Sequence, residues 1–225
     1  MVSAVIVAAG RGTRMGVGVD KLFLEVAGRP IVAHTWEKFD RSPTIDEIVL
    51  VVRDGMQSDF KELAAENGFY KDYHLVAGGA ERQDSVWNGI SATNEGTEVI
   101  AIHDGARPCV TEQIIADCVA AAREVGAAVA ASPVTDTIKE TGPDGFIAGH
   151  IDRSKLRAVQ TPQTFRADII RKALGLVQER GIQVTDDTAA CELIKQPVKL
   201  VESTTPNVKA TSPEDIPYLE LLLRK

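Results

Sequence analysis

One stretch constrains this chain more than any other: a near-continuous apolar run from Val2 to Ala9, stopped by Gly10-Arg11-Gly12-Thr13-Arg14-Met15 and followed by Lys21. A short run rich in β-branched residues predicts a strand covered on both faces, as in a parallel sheet sandwiched by helices. At Gly10 the pattern ends and two glycines alternate with polar residues. Glycine admits positive φ and lets backbone N–H groups approach a ligand with no Cβ in the way. Such a loop, with Arg14 and Lys21 behind it, can wrap a polyphosphate with backbone donors and neutralise it. Its glycine spacing is neither that of a dinucleotide fingerprint nor that of a Walker A loop.

The same strand-then-loop unit recurs. Lys21–Val26 alternates like a short strand, Gly28-Arg29-Pro30 turns, and Pro30 suits the first position of a helix running to about Phe39. Asp46–Arg53 reads as a second buried strand, and Met56–Asn67 as an amphipathic helix stopped by Gly68. Tyr73–Ala77 is a third strand, with the glycine loop Gly78-Gly79-Ala80-Glu81-Arg82 and a helix from Gln83 behind it. Glu98–His103 is a fourth strand, delivering Asp104-Gly105-Ala106-Arg107-Pro108 at its end. Thr111 caps a long helix to Val125, and Ala127–Ala131 is a fifth strand.

From 134 to 157 the pattern breaks. Two alternating runs flank the turn Gly142-Pro143-Asp144-Gly145, so an inserted β-hairpin arm is predicted. An isolated two-stranded ribbon is barely stable in water, which points to a second subunit as its support. Ala158–Gln160 returns to the sheet, Thr161-Pro162-Gln163 turns into a helix from about Arg166 to Arg180, and Thr185–Thr188 suits capping of a helix Ala189–Lys195. Val198–Glu202 is a late strand, and Ser212-Pro213 opens the last helix as cap and first residue.

Strands alternating with helices at these lengths predict an α/β fold: a Rossmann-like three-layer sandwich on a mostly parallel sheet, as one domain over 1–225 with 134–157 as an excursion. In such sheets ligands bind at the carboxyl ends of the strands. The first glycine loop, Gly78-Gly79 and Asp104–Arg107 all follow strands, so all three are expected to face one crevice.

Composition narrows the rest. A net charge of −7 argues against general nucleic-acid binding, which needs a basic face. Cys109, Cys118 and Cys191 have no paired spacing, which suits reduced thiols in the cytoplasm. No stretch approaches the ~20 apolar residues of a membrane span. A Rossmann oxidoreductase fails on the missing fingerprint and on the missing acid after the second strand.

The chain resembles the CDP-alcohol-forming cytidylyltransferases, above all the 2-C-methyl-D-erythritol 4-phosphate cytidylyltransferases of the non-mevalonate isoprenoid pathway. The resemblance runs from Val5 to Asp215. It rests on Ala8–Met15 (AAGxGxRM), Lys21, Gly78–Ser85 (GGxxRxxS), His103–Pro108 (HDxARP), Asp136-Thr137, Asp152-Arg153, Thr161–Gln163 (TPQ), Thr185–Asp187 (TDD) and Asn207–Asp215 (NxKxTxPED). Val7 stands where the family commonly has proline, Asp20-Lys21-Leu22-Phe23 replaces Pro-Lys-Gln-Tyr, and Ala80 and Gly105 also depart. None of these removes a charged catalytic group.

The resemblance implies transfer of CMP from CTP to a polyol phosphate, with Mg²⁺ or another divalent cation as cofactor and a homodimer as the working unit. It implies Arg14, Lys21, Arg153 and Lys209 as catalytic residues. Ala8, Ala9, Gly10, Gly12, Thr13, Gly79, Arg82, Ser85, Asp104 and Gly105 are implied at the nucleotide. Asp104, Arg107, Thr137, Arg153, Thr161, Thr185 and Lys209 are implied at the acceptor, and Asp104 also at the metal. Arg153, on the arm, is implied to reach a partner's site. Two readings compete with methylerythritol phosphate as acceptor: the same chemistry on ribitol 5-phosphate, and a non-catalytic regulator that binds CTP. The presence of both Arg14 and Lys21 disfavours the regulator.

Overall fold

A computed structural model describes residues 1–10 and 20–224. Gly12, Thr13 and Arg14 therefore lie outside the described residues. The strands and helices, in chain order, are β1 (Val2–Ala8), β2 (Glu25–Val26), β3 (Arg29–Pro30), α1 (Ile31–Asp40), β4 (Glu47–Val52), α2 (Gln57–Asn67), β5 (Tyr73–Ala77), α3 (Arg82–Ser91), β6 (Val99–Asp104) and α4 (Glu112–Val125). The second half adds β7 (Ala127–Pro133), β8 (Lys139–Thr141), β9 (Ile147–His150), β10 (Arg157–Arg166), α5 (Ala167–Arg180), α6 (Asp187–Glu192), β11 (Lys199–Glu202) and α7 (Asp215–Leu223).

A seven-stranded sheet in the order β11-β7-β10-β6-β1-β4-β5 forms the middle layer. β1 lies between β4 and β6, parallel to both, and β4 is parallel to β5. Alternate residues of the central strands enter opposite cores. Ala4, Ile6, Leu50 and Ala101 pack beneath α1, α2, α4 and α7, while Val5, Val49, Val51, Ile100 and Ile102 pack beneath α3, α5 and α6. Both faces are covered, so neither alternate set of these residues is polar.

β10 runs against both its neighbours, β6 and β7. The chain leaves β7 at the carboxyl edge of the sheet, makes the hairpin β8–β9, and re-enters from that same edge. A strand that returns directly can pair only antiparallel, whereas a parallel partner needs a crossover. Thr161-Pro162-Gln163 lies inside β10, where the register with β7 shifts between Val159 and Gln163, rather than forming the turn expected from Pro162.

Other expectations are also corrected. Of Lys21–Val26 only Glu25 and Val26 form a strand, closed onto β3 by Ala27 at φ 50° and Gly28 at φ 78°. Pro30 precedes α1 instead of opening it, and its φ of −54° with ψ of 140° fits the proline ring in extended backbone. α6 starts two residues early, at Asp187, because the Asp186 carboxylate caps it by accepting from Ala189 N at 2.9 Å. α7 begins at Asp215, whose own carboxylate accepts from Thr211 N and Ser212 N at 2.8 and 2.9 Å, so Ser212 is not its cap. No helix among the described residues is long and apolar enough to cross a membrane.

Candidate active site

The carboxyl ends of β1, β4, β5 and β6 open into one cleft of ≈ 490 Å³. Its lining includes Ala9 and Gly10 after β1, Arg53 after β4, Gly78 to Arg82 after β5, and Asp104 at the end of β6, with Lys21 and Lys209 alongside. Glycine loops and cations from opposite ends of the sequence thus meet where parallel sheets place ligands. Sequence reading did not single out Arg53, Asp54, Glu81 or Leu22 of this lining. They follow strands or sit beside Lys21, and their chemistry carries no pattern of its own.

Close packing makes the glycines necessary. A Cβ on Gly78 would fall 2.3 Å from Ala9 Cβ, and one on Gly79 2.3 Å from Asp84 Cβ. The loop is rigid by its own bonds: Ser85 Oγ accepts from Gly79 N at 3.0 Å and donates to Glu81 O at 3.2 Å. Glu81 and Asp84 form a reciprocal capping box at the start of α3. Ser85, expected at the nucleotide, is 4% exposed and holds the loop that lines the cleft.

Asp104 is the hub of the charges. Its carboxylate accepts from Lys209 Nζ at 2.6 Å, faces Arg82 Nε at 3.5 Å and faces Arg107 Nε at 3.8 Å. Burial pushes its carboxyl up, but the charges of Lys209 and Arg82, the Lys209 hydrogen bond and the Arg107 charge outweigh that and hold it well below the usual carboxylate range. Burial likewise tends to lower Arg82, yet Asp187 and Asp104 leave it raised, a permanent cation. Arg107, buried beside another guanidinium, is shifted down by its burial.

A second layer braces the hub. Thr161 Oγ1 accepts from Asp104 N at 3.1 Å, and because Arg107 O can only accept and so takes the Nε2 proton of a neutral His103, Thr161 donates to His103 Nδ1 at 3.1 Å. His103 is then the neutral tautomer that donates from Nε2 to Arg107 O at 3.1 Å. Burial drops its pKa to about 4, in agreement. Arg107 NH1 donates to Asn207 O, and Asn207 Nδ2 to Thr161 O, both at 2.7 Å, which closes the ring. Thr161, implied at the acceptor, is 2% exposed with its hydroxyl occupied at both ends, so it supports the site from behind. His103 is the buried structural histidine that its place on an apolar strand suggests.

Lys209 arrives on a segment zipped to β6's loop by Ala210 N donating to Ala106 O at 2.8 Å. Lys21 Nζ reaches the same segment, donating to Ala210 O at 3.2 Å. Ala8 is buried at the end of β1, and Gly105 sits tight against it, with Gly105 N donating to Val7 O at 2.9 Å. Thr185 is exposed before α6, and Thr137 and Arg153 are exposed on the arm, where Arg153 donates to Thr135 O. Those three are not brought into the cleft within this single chain. Among the described residues no group of three or more His, Cys, Asp or Glu could cage a metal.

The family model for 2-C-methyl-D-erythritol 4-phosphate cytidylyltransferase (IspD) matches residues 2–225. The protein of that name from Dehalococcoides mccartyi (strain ATCC BAA-2266 / KCTC 15142 / 195) is 46% identical over 224 residues, covering 100% of this chain and 96% of the relative. Its counterpart in Caldanaerobacter subterraneus subsp. tengcongensis is 44% identical over 225 residues, covering 100% and 99%. The crystal structure of 4-diphosphocytidyl-2C-methyl-D-erythritol synthase from Anaerococcus prevotii matches with a TM-score of 0.89 at 29% identity, over 100% of this chain and 96% of that one. With the cleft, these likenesses define the class as a nucleotidyltransferase. Within it the chain belongs to the 2-C-methyl-D-erythritol 4-phosphate cytidylyltransferase family.

Proposed function

We propose that the protein transfers CMP from CTP to 2-C-methyl-D-erythritol 4-phosphate, releasing pyrophosphate and forming 4-diphosphocytidyl-2-C-methyl-D-erythritol for isoprenoid synthesis. The observation that carries this reading is the gathering of Lys21, Lys209, Arg82 and Asp104 around glycine loops in one strand-end cleft, in a chain of this family. A phosphate oxygen of the acceptor attacks the α-phosphorus of CTP. The bond to the β-phosphate oxygen breaks, and pyrophosphate leaves with the electron pair.

A phosphomonoester is mostly dianionic at neutral pH, since its second pKa is about 6, so the nucleophile needs no general base. The barrier lies in bringing anions together and in charge building at the α-phosphate, which positioning and fixed cations relieve. Lys21 and Arg14 are assigned to the triphosphate in the transition state. Backbone at Ala8, Ala9, Gly10, Gly12 and Gly79, with Thr13, Ser85 and Gly105, is assigned to the nucleotide. Lys209, Arg107, Thr185 and Thr137 are assigned to the acceptor.

One carboxylate among cations fits a Mg²⁺ that travels with the triphosphate, because Mg²⁺ keeps several waters and takes few protein ligands. Asp104 would hold it, and the ion would supply further neutralisation of the phosphates. The working unit is read as a cytoplasmic homodimer in which Arg153 enters the partner's cleft. Three free cysteines agree with a reducing compartment.

Pyrophosphate release, followed with CTP and either acceptor, tests the reading. Turnover with methylerythritol phosphate should exceed that with ribitol 5-phosphate by at least ~10²-fold, the scale on which a site rejects a mismatched polar substrate. Faster turnover with ribitol 5-phosphate would transfer the assignment to that acceptor. CTP binding with no turnover on either would leave a regulator.

A further inference from the structure

Behind the charges that face the cleft lies a buried one that the mechanism above does not use. Asp187 opens α6 with none of its surface exposed. Its two carboxylate oxygens accept from Arg82 NH1 and NH2 at 3.0 and 2.9 Å, a bidentate pair. Burial pushes this carboxyl up, and the Arg82 charge and hydrogen bonds work against that. An ion pair with one partner fully buried is weak evidence of stability, because apolar residues of the same volume often serve as well. A different benefit is therefore to be looked for where the guanidinium points.

The bidentate grip fixes the plane of Arg82. Its remaining edge, Nε, faces Asp104 Oδ1 at 3.5 Å, while Asp104 Oδ2 takes Lys209 Nζ at 2.6 Å. Alternating charges thus run from the interior to the cleft: Asp187, Arg82, Asp104, Lys209. The inner end is itself clamped. Asp187 N donates to Gln163 Oε1 at 3.0 Å, and Gln163 Nε2 donates to Asp186 Oδ2 at 3.0 Å. Gln163 lies on β10 beside β6, so the strand that carries Asp104 and the helix that carries Asp187 are tied by one amide.

We infer that Asp187 is a positioning residue for the acceptor half of the reaction: by orienting Arg82 it sets the carboxylate of Asp104 and, through it, Lys209. The inference rests on the proposed function and deepens it. Without the Asp187 charge, Arg82 is free to turn both its nitrogens onto Asp104, competing with Lys209 and with the incoming substrate.

The experiment uses the full chain and begins with wild-type turnover of CTP and methylerythritol phosphate, whose absence would overturn the proposed function and not this inference alone. In a turning-over enzyme, Asp187→Asn should lower kcat/KM for the acceptor by ~10-fold or more, through Lys209, with a smaller rise in KM for CTP, through Arg82 and Asp104 where they face the triphosphate. In an Asp104→Asn background the same change should cost under ~2-fold, because the carboxylate through which it acts is gone. Arg82→Lys keeps the charge and loses the fork, so it should repeat the acceptor-selective loss even if Asp187→Asn fails to fold. Equal costs in both backgrounds, or losses in both substrates that follow the folded fraction, would show a purely structural pair and overturn the inference.

Discussion

Single residues carry the chemistry here, and two of them give tests of different kinds. Lys21 is assigned to charge that exists only as the α-phosphate reacts, so Lys21→Ala should lower kcat by at least ~10²-fold, the scale for one lost transition-state donor. Steady-state kinetics checks this, and a loss confined to KM would remove the assignment. His103 tests the brace. Its pKa is pulled by burial from 6.5 to about 4, so the unfolded chain takes up the proton first. Its contribution is therefore complete above pH 6.5 and is lost as the pH falls toward 4, by ~3 kcal/mol over that window. Asp104, depressed, adds a loss in the same direction at lower pH. Thermal melts between pH 7.5 and 4.5 should show a shallower fall for His103→Gln than for wild type. Parallel curves would contradict a His103 held neutral by its burial.

Which residues were legible follows from the same physics. Asp104 and Lys21 stand out because they follow apolar strands or a glycine loop behind one, and Lys209 because the family motif Asn207–Asp215 carries it. Thr161 shows the opposite case. Its motif marks it, but no sequence pattern distinguishes a hydroxyl that faces substrate from one shared between Asp104 N and His103. The pairing of Arg82 with Asp187, 105 residues apart, was equally invisible, because only the fold of α6 against α3 brings them together.

At the scale of elements, strands and helices with strong periodicity appear where their residues predict them, and Tyr73–Ala77 does so to the residue. Errors fall where tertiary contacts decide. Lys21–Leu24 alternates like a strand, but Leu22 O and Leu24 O accept from Val32 N and Ile31 N at the start of α1, whereas Thr161–Gln163 carries a proline and still belongs to a strand because the returning chain fits between β6 and β7. The seat of α3 on the sheet is set by one residue: a Cβ on Gly89 would fall 2.5 Å from Val5 Cγ1 and 2.7 Å from Val51 Cγ2. Gly89→Ala should overpack this contact and cost ~1–3 kcal/mol, a fall in Tm of ~2–12 °C. Since α3 begins with Arg82 and the Ser85 loop, KM for CTP should rise with it. An unchanged Tm would mean that α3 can lift without cost.

The whole molecule raises the question of the arm. β8 and β9 form a two-stranded sheet of their own, and Phe146 and Ile147 on it are 73% and 69% exposed. Such a ribbon needs support, which is the physical basis for reading a dimer. If Arg153 serves the partner's cleft, an Arg153→Ala chain mixed with a Lys21→Ala chain should regain activity that neither has alone. No recovery in isolated mixed dimers would confine Arg153 to its own subunit. What supports the arm was not legible, since its sequence specifies a hairpin and not what it touches.

One labelling measurement reaches the centre of the account. With CTP carrying label on the α-phosphorus and methylerythritol phosphate as acceptor, all the label transferred should appear in the diphosphocytidyl alcohol, with unlabelled pyrophosphate released in equal amount. Label left in free CMP or CTP, with no labelled alcohol formed, would mean that the cations gathered at the strand ends do not bring these two anions together.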